Sequence, residues 1–302
     1  MLKAGKKINW SRTFFIIAHL LLGVVVFLVL YVYVNVQSFV MAFQRAENGV
    51  TYFTLENFQT FFELIGEGGI LLEGFRNTFS WFLLSMALTV VSYFISYFLY
   101  RKIWGYKIFR VIFFIPSLIS QIVMAYIFIS FVDPSGFIAR LIQRANGFDY
   151  VPELLHDSRY ALKTLMIRSV LFGVAGNMLL LCGTMSRIPD SVLEAGRLDG
   201  VSWLREMWQI VIPMILPTIA ITVCTSLAGI FSANGGEFLY TKGDFGTMTY
   251  NTWLYLQIYD TPRTSNTHNV AAAAGWITSL VSVPLVIVTR MISRKASEGT
   301  EY

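Results

Sequence analysis

Six long apolar segments constrain the fold of this chain more than any other feature of its sequence. Each has roughly 20 residues or more, enough for a helix to cross the ~30 Å hydrocarbon layer of a membrane. Core helices of a large soluble enzyme are rarely this long and apolar, and hydrophobic residues make up 55% of this chain. The segments lie near residues 14–36, 78–100, 108–132, 161–185, 210–232 and 270–292. This pattern predicts an all-α membrane protein with six transmembrane helices.

The distribution of charge predicts the orientation of these helices. If the N-terminus is cytoplasmic, the inner segments hold fourteen Lys and Arg residues and the longer outer segments hold eight. Positive residues concentrate on the cytoplasmic side of membrane proteins. We therefore expect both termini to be cytoplasmic, and we attribute the net charge of +5 to topology rather than to nucleic-acid binding. The first apolar segment is too long for a removable signal peptide and is expected to remain as a helix.

The six segments divide the chain into three predicted parts. Residues 1–36 form an N-terminal cytoplasmic tail and the first transmembrane helix, and residues 37–77 form an extracellular loop. Residues 78–302 form a five-helix core with a cytoplasmic loop at 186–209. Two outer stretches have helical character: "FTLENFQTFFELI" is typical of a short interfacial helix, and "DPSGFIARL" predicts a turn followed by an amphipathic segment.

The cytoplasmic loop contains a compact charged stretch, "EAGRLDGVSWLREMWQIVIPMILP", which begins at Glu194. Ser191 and Glu194 have the spacing of a capping box, so a helix is predicted to begin at Ser191 and to end just before Asp199. Gly200 can then end it, because glycine takes the left-handed conformation without steric cost. Ser202 can begin a second short helix. A loop that only connects two spans needs no such structure, so this one is interpreted as a docking element.

This stretch resembles the cytoplasmic EAA loop of permease subunits of binding-protein-dependent ABC importers. The positions that match its pattern are Glu194, Ala195, Asp199, Gly200, Trp208, Ile210 and Pro213. The chain departs from the pattern by small apolar changes at Gly196, Val201 and Ile212. We expect Ala195 and Gly196 to keep the middle of the helix thin, so that another surface can approach. Further stretches, including "FFIPSLISQIVMAYIFISFVDPSGFIARLI" and "NGGEFLYT", extend the resemblance to maltose-type permeases along nearly the whole chain.

The resemblance implies a maltose-type importer permease fold in the bacterial cytoplasmic membrane. It implies a non-enzymatic subunit of an ATP-driven carbohydrate importer that forms the pathway with a second homologous permease, as a heterodimer. An ATPase dimer would bind ATP and Mg²⁺, an extracellular solute-binding protein would deliver the sugar, and this chain would hold no cofactor. No G-x-x-x-x-G-K-[ST] run occurs in the sequence. The residues expected to couple the chain to the ATPase are Glu194, Ala195, Gly196, Arg197, Asp199, Gly200 and Ser202.

Five polar residues are candidates for the substrate pathway. Arg168 lies inside the fourth span, where a charge is costly and marks a functional interior by default. It could bind the carboxylate or sulfate of an acidic sugar or the hydroxyls of a neutral one, and it slightly favours the former; snorkelling or pairing with a loop acid would also explain it. Asn177 should lie on the opposite face of that helix. Gln121 could line the pathway, although residues of this kind more commonly bond to a neighbouring helix. Asn234 and Glu237 follow the fifth span and could meet the substrate or the binding protein.

Two other functions remain open at this point. A membrane-embedded glycan or lipid transferase would need clustered acids or histidines at one membrane face, but the chain has only three His residues and shows no metal-ligand spacing. A passive channel would need rings of polar residues in several spans and would conduct without ATP. The sequence therefore favours the importer subunit over both, and it does not identify the sugar.

Overall fold

A computed structural model of the chain describes residues 10–47, 49–146, 153–260 and 266–298. The predicted cytoplasmic tail at 1–9 lies outside these residues. The α-helices are α1 (Trp10–Phe27), α2 (Val34–Ala42), α3 (Glu56–Gly66), α4 (Ile70–Tyr100), α5 (Tyr106–Leu118), α6 (Gln121–Val132), α7 (Phe137–Asn146), α8 (Ala161–Phe172), α9 (Ala175–Met185), α10 (Asp190–Leu198), α11 (Trp203–Arg205), α12 (Ile212–Ala228), α13 (Tyr250–Tyr259) and α14 (Thr267–Glu298). Two π-helical segments, Leu28–Tyr33 and Glu206–Val211, continue α1 and α11.

Six helical segments among the described residues are long and apolar enough to cross a membrane. They are Ile17–Ala42, Ile70–Tyr100, Gln121–Leu141, Ala161–Met185, Trp203–Ala228 and Thr267–Met291. The prediction of a helical membrane protein with six spans is confirmed. The predicted helices in the two outer stretches are also present, as α3 and α7.

The predicted domain boundary between residues 77 and 78 needs correction, because it falls inside the continuous helix α4. The apolar pattern put the start of this helix at residue 78 because Glu73, Arg76 and Asn77 make its first turns polar. Contacts divide the chain differently from the prediction. One unit contains the residues up to Glu63 and the segment ending at Ile277, and the other contains Leu64–Asp260 and resumes at Thr278.

The first unit contains a small antiparallel hairpin that the sequence did not predict. Strand β1 (Gln44–Glu47) pairs with β2 (Val50–Phe53). Buried Asn57 fixes its start by donating to the carbonyls of Ala42 at 3.0 Å and Gln44 at 2.8 Å. Asn269 of α14 donates to the same Gln44 carbonyl at 2.7 Å. Amide side chains therefore join α3, the hairpin and α14, because they satisfy backbone groups that the two short strands leave free.

The second unit is built around α4, which packs against α9, α12 and α13. Small hydroxyl residues allow α4 and α9 to approach closely and also join them. Ser92 donates to the Val174 carbonyl and Ser96 to the Met178 carbonyl, both at 3.1 Å. Small polar residues at helix contacts are typical of membrane bundles, where packing and hydrogen bonds replace the hydrophobic effect.

The predicted third segment is interrupted before the span Gln121–Leu141 begins, and the fourth span is interrupted midway; neither break was predicted. The expected continuous helix over 108–132 is two helices, because the backbone leaves the helical conformation at Ile119 and Ser120. The fourth span has the predicted ends but turns at Gly173 and Val174, between α8 and α9. Broken helices at membrane depth are tolerated where the loosened backbone lines a cavity.

Candidate functional site: a coupling loop and a polar cavity

The loop between α9 and α12 folds as a helix, a tight turn and a second helix, as predicted. Helix α10 begins at Asp190, one residue before the predicted start. Gly200 has a φ of +71°, which is the predicted left-handed stop. The Val201 amide donates to the Gly196 carbonyl at 3.0 Å across this turn, and Ser202 has extended backbone at the N-cap of α11. We call residues 190–205 the coupling loop, after the role that the sequence resemblance predicts for them.

The coupling loop presents one exposed face and one buried face. Glu194, Ala195 and Asp199 are exposed, and Leu198 is 90% exposed. Leu193 points inward and joins a cluster with side chains of α4, α9 and α12. Arg197, which was also predicted to couple the chain to the ATPase, belongs to α10. The exposed face is small, partly apolar and acidic, and a rigid hydrophobic base supports it.

Gly196 does not have the role that the sequence suggested. It is buried, and a Cβ atom added to it would lie 2.9 Å from Ile210 Cδ1. The space that this glycine leaves is therefore filled by the chain's own side chain, and the expectation that it makes room for an outside surface needs correction. Ala195 alone keeps the exposed face of the helix slim.

The two helix breaks and the loop after the fifth span surround a cavity of about 410 Å³. Three of the five predicted pathway residues line it: Gln121 at the start of α6, Arg168 in α8 and Asn234 in the loop. Ser117, Ser169 and Tyr240 add hydroxyl groups to the wall. The lining residues include one cation and no carboxylate. We call this space the polar cavity.

Arg168 and Tyr240 form the most distinctive part of the polar cavity. The guanidinium carbon of Arg168 lies 4.8 Å from the centre of the Tyr240 ring, and its NH1 donates to the Gly235 carbonyl at 3.3 Å. Burial raises the pKa of the Tyr240 phenol, and the Arg168 charge offsets part of that rise, so the hydroxyl stays protonated. Arg168 Nε and the Tyr240 hydroxyl are buried without a hydrogen-bond partner in the described chain. Such groups are costly, so they point to a ligand.

Glu237 lies near the polar cavity but does not line it. Its side chain is 1% exposed and accepts hydrogen bonds from the Gly235 amide at 3.0 Å, from Thr252 at 2.7 Å and from Thr249. The carboxylate therefore organises the loop that carries Asn234 and Tyr240. Since Gly235 also accepts from Arg168, Glu237 positions the cavity wall and does not face its interior.

The prediction that Arg168 and Asn177 lie on opposite faces assumed one continuous helix, whereas Arg168 lies in α8 and Asn177 in α9. Asn177 does not line the polar cavity. Its amide donates to the Thr89 hydroxyl at 3.0 Å and so joins α9 to α4. This contact accounts for the residue without a substrate.

Residues 88–298 match the model of the family described as the binding-protein-dependent transport system inner membrane component. The chain belongs to this family. It is therefore a transport subunit of a multi-pass membrane type, and we refer to it below as the permease.

Individual relatives agree with this membership. The probable ABC transporter permease protein MG188 homolog of Mycoplasma pneumoniae is 26% identical over 245 residues, which cover 77% of this chain and 71% of that protein. The multiple sugar-binding transport system permease protein MsmF of Streptococcus mutans is 26% identical over 195 residues, covering 64% and 66%. A chain of a bacterial ABC transporter involved in the import of the acidic polysaccharide alginate has a TM-score of 0.77 at 20% identity, covering 94% and 96%. The permease thus has the fold of an importer subunit.

Sequence reasoning missed several residues that the structure places at these sites. Tyr240 lies in a loop rich in aromatics, so nothing in the sequence separated it from residues that anchor such loops in lipid. Leu198 lies within the recognised motif, but its exposure depends on how α10 is oriented on its base. Trp81, whose ring lies against Gly235 beside the polar cavity, is one of many aromatics in an apolar span.

Proposed function

We propose that the permease is the transmembrane subunit of an ATP-driven importer of oligosaccharides in a bacterial cytoplasmic membrane. It forms the translocation pathway together with a second, homologous permease. A solute-binding protein delivers the sugar from outside, and a separate ATPase dimer binds ATP and Mg²⁺ and drives import. The observation that carries this proposal is the polar cavity, which lies where the two helix breaks meet the loop after the fifth span and which is lined by Arg168 and Tyr240.

The lining of the polar cavity favours an acidic sugar. Arg168 is the one charged side chain among its lining residues. A carboxylate on the sugar would accept a charge-assisted hydrogen bond from the Arg168 guanidinium, and such bonds are roughly twice as strong as neutral ones. Gln121 and Tyr240 would bind sugar hydroxyls. The alginate importer with the same fold transports an acidic polysaccharide, which supports the same substrate class here.

The exposed face of the coupling loop is the proposed contact with the ATPase. Glu194 and Leu198 project from a short helix, Asp199 directly follows it, and buried Leu193 holds the helix from behind. A partner cleft with basic and apolar walls would bind this face. A rigid helix transmits displacement to its base, whereas a flexible loop would absorb it.

Reconstitution of the permease with its cognate partners in proteoliposomes tests the proposal. We expect uptake of a uronic-acid oligosaccharide that requires both ATP and the binding protein. Glu194→Lys should abolish ATP-driven uptake and weaken co-purification of the ATPase. Flux without nucleotide would instead indicate a channel, and glycan transfer without transport would indicate a membrane-embedded transferase. Either result would overturn the proposed function.

A further inference from the structure

A buried carboxylate lies at the junction between the coupling loop and the fifth span. Glu206 is 2% exposed and is the first residue of the π-helical segment Glu206–Val211. Its Oε1 lies 3.1 Å from the Tyr97 hydroxyl and 3.5 Å from Arg101 Nε. A buried charge is retained only where partners compensate for its lost hydration. Both of these partners come from the inner end of α4.

Three side chains on one stripe of α4 hold this junction. Tyr93, Tyr97 and Arg101 are spaced by four residues, so they lie on one face of the helix. Tyr97 donates to the Trp203 carbonyl at 2.9 Å, and Tyr93 donates to the Met207 carbonyl at 3.3 Å. These three side chains therefore contact both the Glu206 carboxylate and the backbone on either side of it.

The backbone that these side chains hold includes the π-helical segment, which needs support from its neighbours. A π-helical turn has a wider hydrogen-bonding pattern than an α-helix and occurs mostly as a short, functional bulge. On its other side, Met207 packs in the same buried cluster as Leu193 of α10 and Tyr97. Motion of the coupling loop cannot therefore be absorbed at residues 203–207 without breaking the contacts of this stripe.

We infer that Glu206, with Tyr97 and Arg101, forms a mechanical joint that fixes the coupling loop to the second span. Glu206 and Arg101 are positioning residues: they contact neither sugar nor nucleotide, and they make α4 move together with the loop. This inference rests on the proposed function, because it assigns the path by which the motion driven by ATP hydrolysis enters the bundle. It predicts that a loosened joint still permits hydrolysis but loses import.

The test uses the complete transporter in proteoliposomes and measures ATP hydrolysed per sugar imported. Tyr97→Phe and Glu206→Gln should each raise this ratio at least threefold while the ATPase still co-purifies. Arg101→Lys, which keeps the ion pair, should stay within twofold of wild type, and Arg101→Gln should not. Arg110→Gln removes an exposed cation of α5 and serves as the matched control.

An unchanged ratio in both Tyr97→Phe and Glu206→Gln would overturn the joint. Because Tyr97→Phe removes a single oxygen atom, it remains a valid test even if Glu206→Gln fails to assemble. A wild-type complex that imports no sugar with ATP would refute the proposed function instead. The two failures are therefore distinguishable in one experiment.

Discussion

Gly196 lies directly against Ile210, so that a Cβ atom on residue 196 would come within 2.9 Å of Ile210 Cδ1. The contact joins α10 to the π-helical segment that leads into the fifth span. Ile210 Cδ1 is the end of a flexible side chain and can move at small cost. The glycine at position 196, where the family motif has alanine, thus leaves the space that the Ile210 side chain fills.

This contact predicts a coupling between the two positions. Gly196→Ala alone should change the free energy of unfolding by less than about 1 kcal/mol, because the gain in helix propensity of ~1 kcal/mol offsets the displaced side chain. In an Ile210→Val background, which lacks Cδ1, Gly196→Ala should stabilise the protein by about 0.5–1 kcal/mol. Unfolding of the four proteins in detergent measures the cycle. Equal effects in both backgrounds would contradict the packing.

Gly235 should tolerate no side chain. A Cβ atom there would lie 2.2 Å from the Trp81 ring, whereas nothing lies within 4 Å of the corresponding position at Gly176 in α9. Gly235→Ala should therefore cost about 1–3 kcal/mol by overpacking. Gly176→Ala should stabilise by up to ~1 kcal/mol through helix propensity. Thermal unfolding compares the pair, and a Gly235→Ala protein as stable as wild type would contradict the close approach.

Glu237 should stabilise the protein mainly as a hydrogen-bond acceptor and less through its negative charge. Glu237→Ala leaves the Gly235 amide and the Thr252 hydroxyl without the acceptor they have now, and each buried unpaired group costs about 1–3 kcal/mol. A loss of roughly 3 kcal/mol or more is expected, with Glu237→Gln milder because its amide oxygen still accepts. Glu63→Ala, at an exposed acid of α3, should stay within about 0.5 kcal/mol of wild type. A Glu237→Ala protein no less stable than Glu63→Ala would refute the organising role.

Arg168 should distinguish acidic from neutral sugars. Losing a hydrogen bond to a charged group costs about 1.5–3 kcal/mol, so Arg168→Gln should raise the KM for an acidic oligosaccharide roughly 10- to 100-fold. The KM for a neutral one should change little. Lys163→Gln removes another cation of α8 that does not line the polar cavity and is the control. Equal losses for both sugar classes would show that Arg168 supports the structure and not substrate charge.

The spans and the turn of the coupling loop were predictable because each depends on local physical chemistry. Apolar length alone places a helix in lipid, and Gly200 was expected in the left-handed region it occupies. Arg168 could be singled out because a charge in a span is rare. These features need no knowledge of what packs against them.

The remaining features depend on tertiary contacts that the sequence does not express. The break at Ile119 is one of them, because Pro116 lies inside α5 and does not mark where that helix ends. Glu237 resembled any exposed acid in an outer loop until its donors from residues 235, 249 and 252 were known. Glu206 likewise becomes distinctive only because α4 brings Tyr97 and Arg101 to it.

The central claim is that the exposed face of the coupling loop binds a separate ATPase. Two leucines of α10 test it directly, because Leu198 is 90% exposed and Leu193 is 7% exposed. A photoreactive amino acid placed at each position in turn, in membranes containing the assembled transporter, reports what each touches. We predict a crosslink to the ATPase from position 198 and only intramolecular products from position 193. If the probe at position 198 crosslinked only to lipid although the ATPase was present, the result would contradict the account.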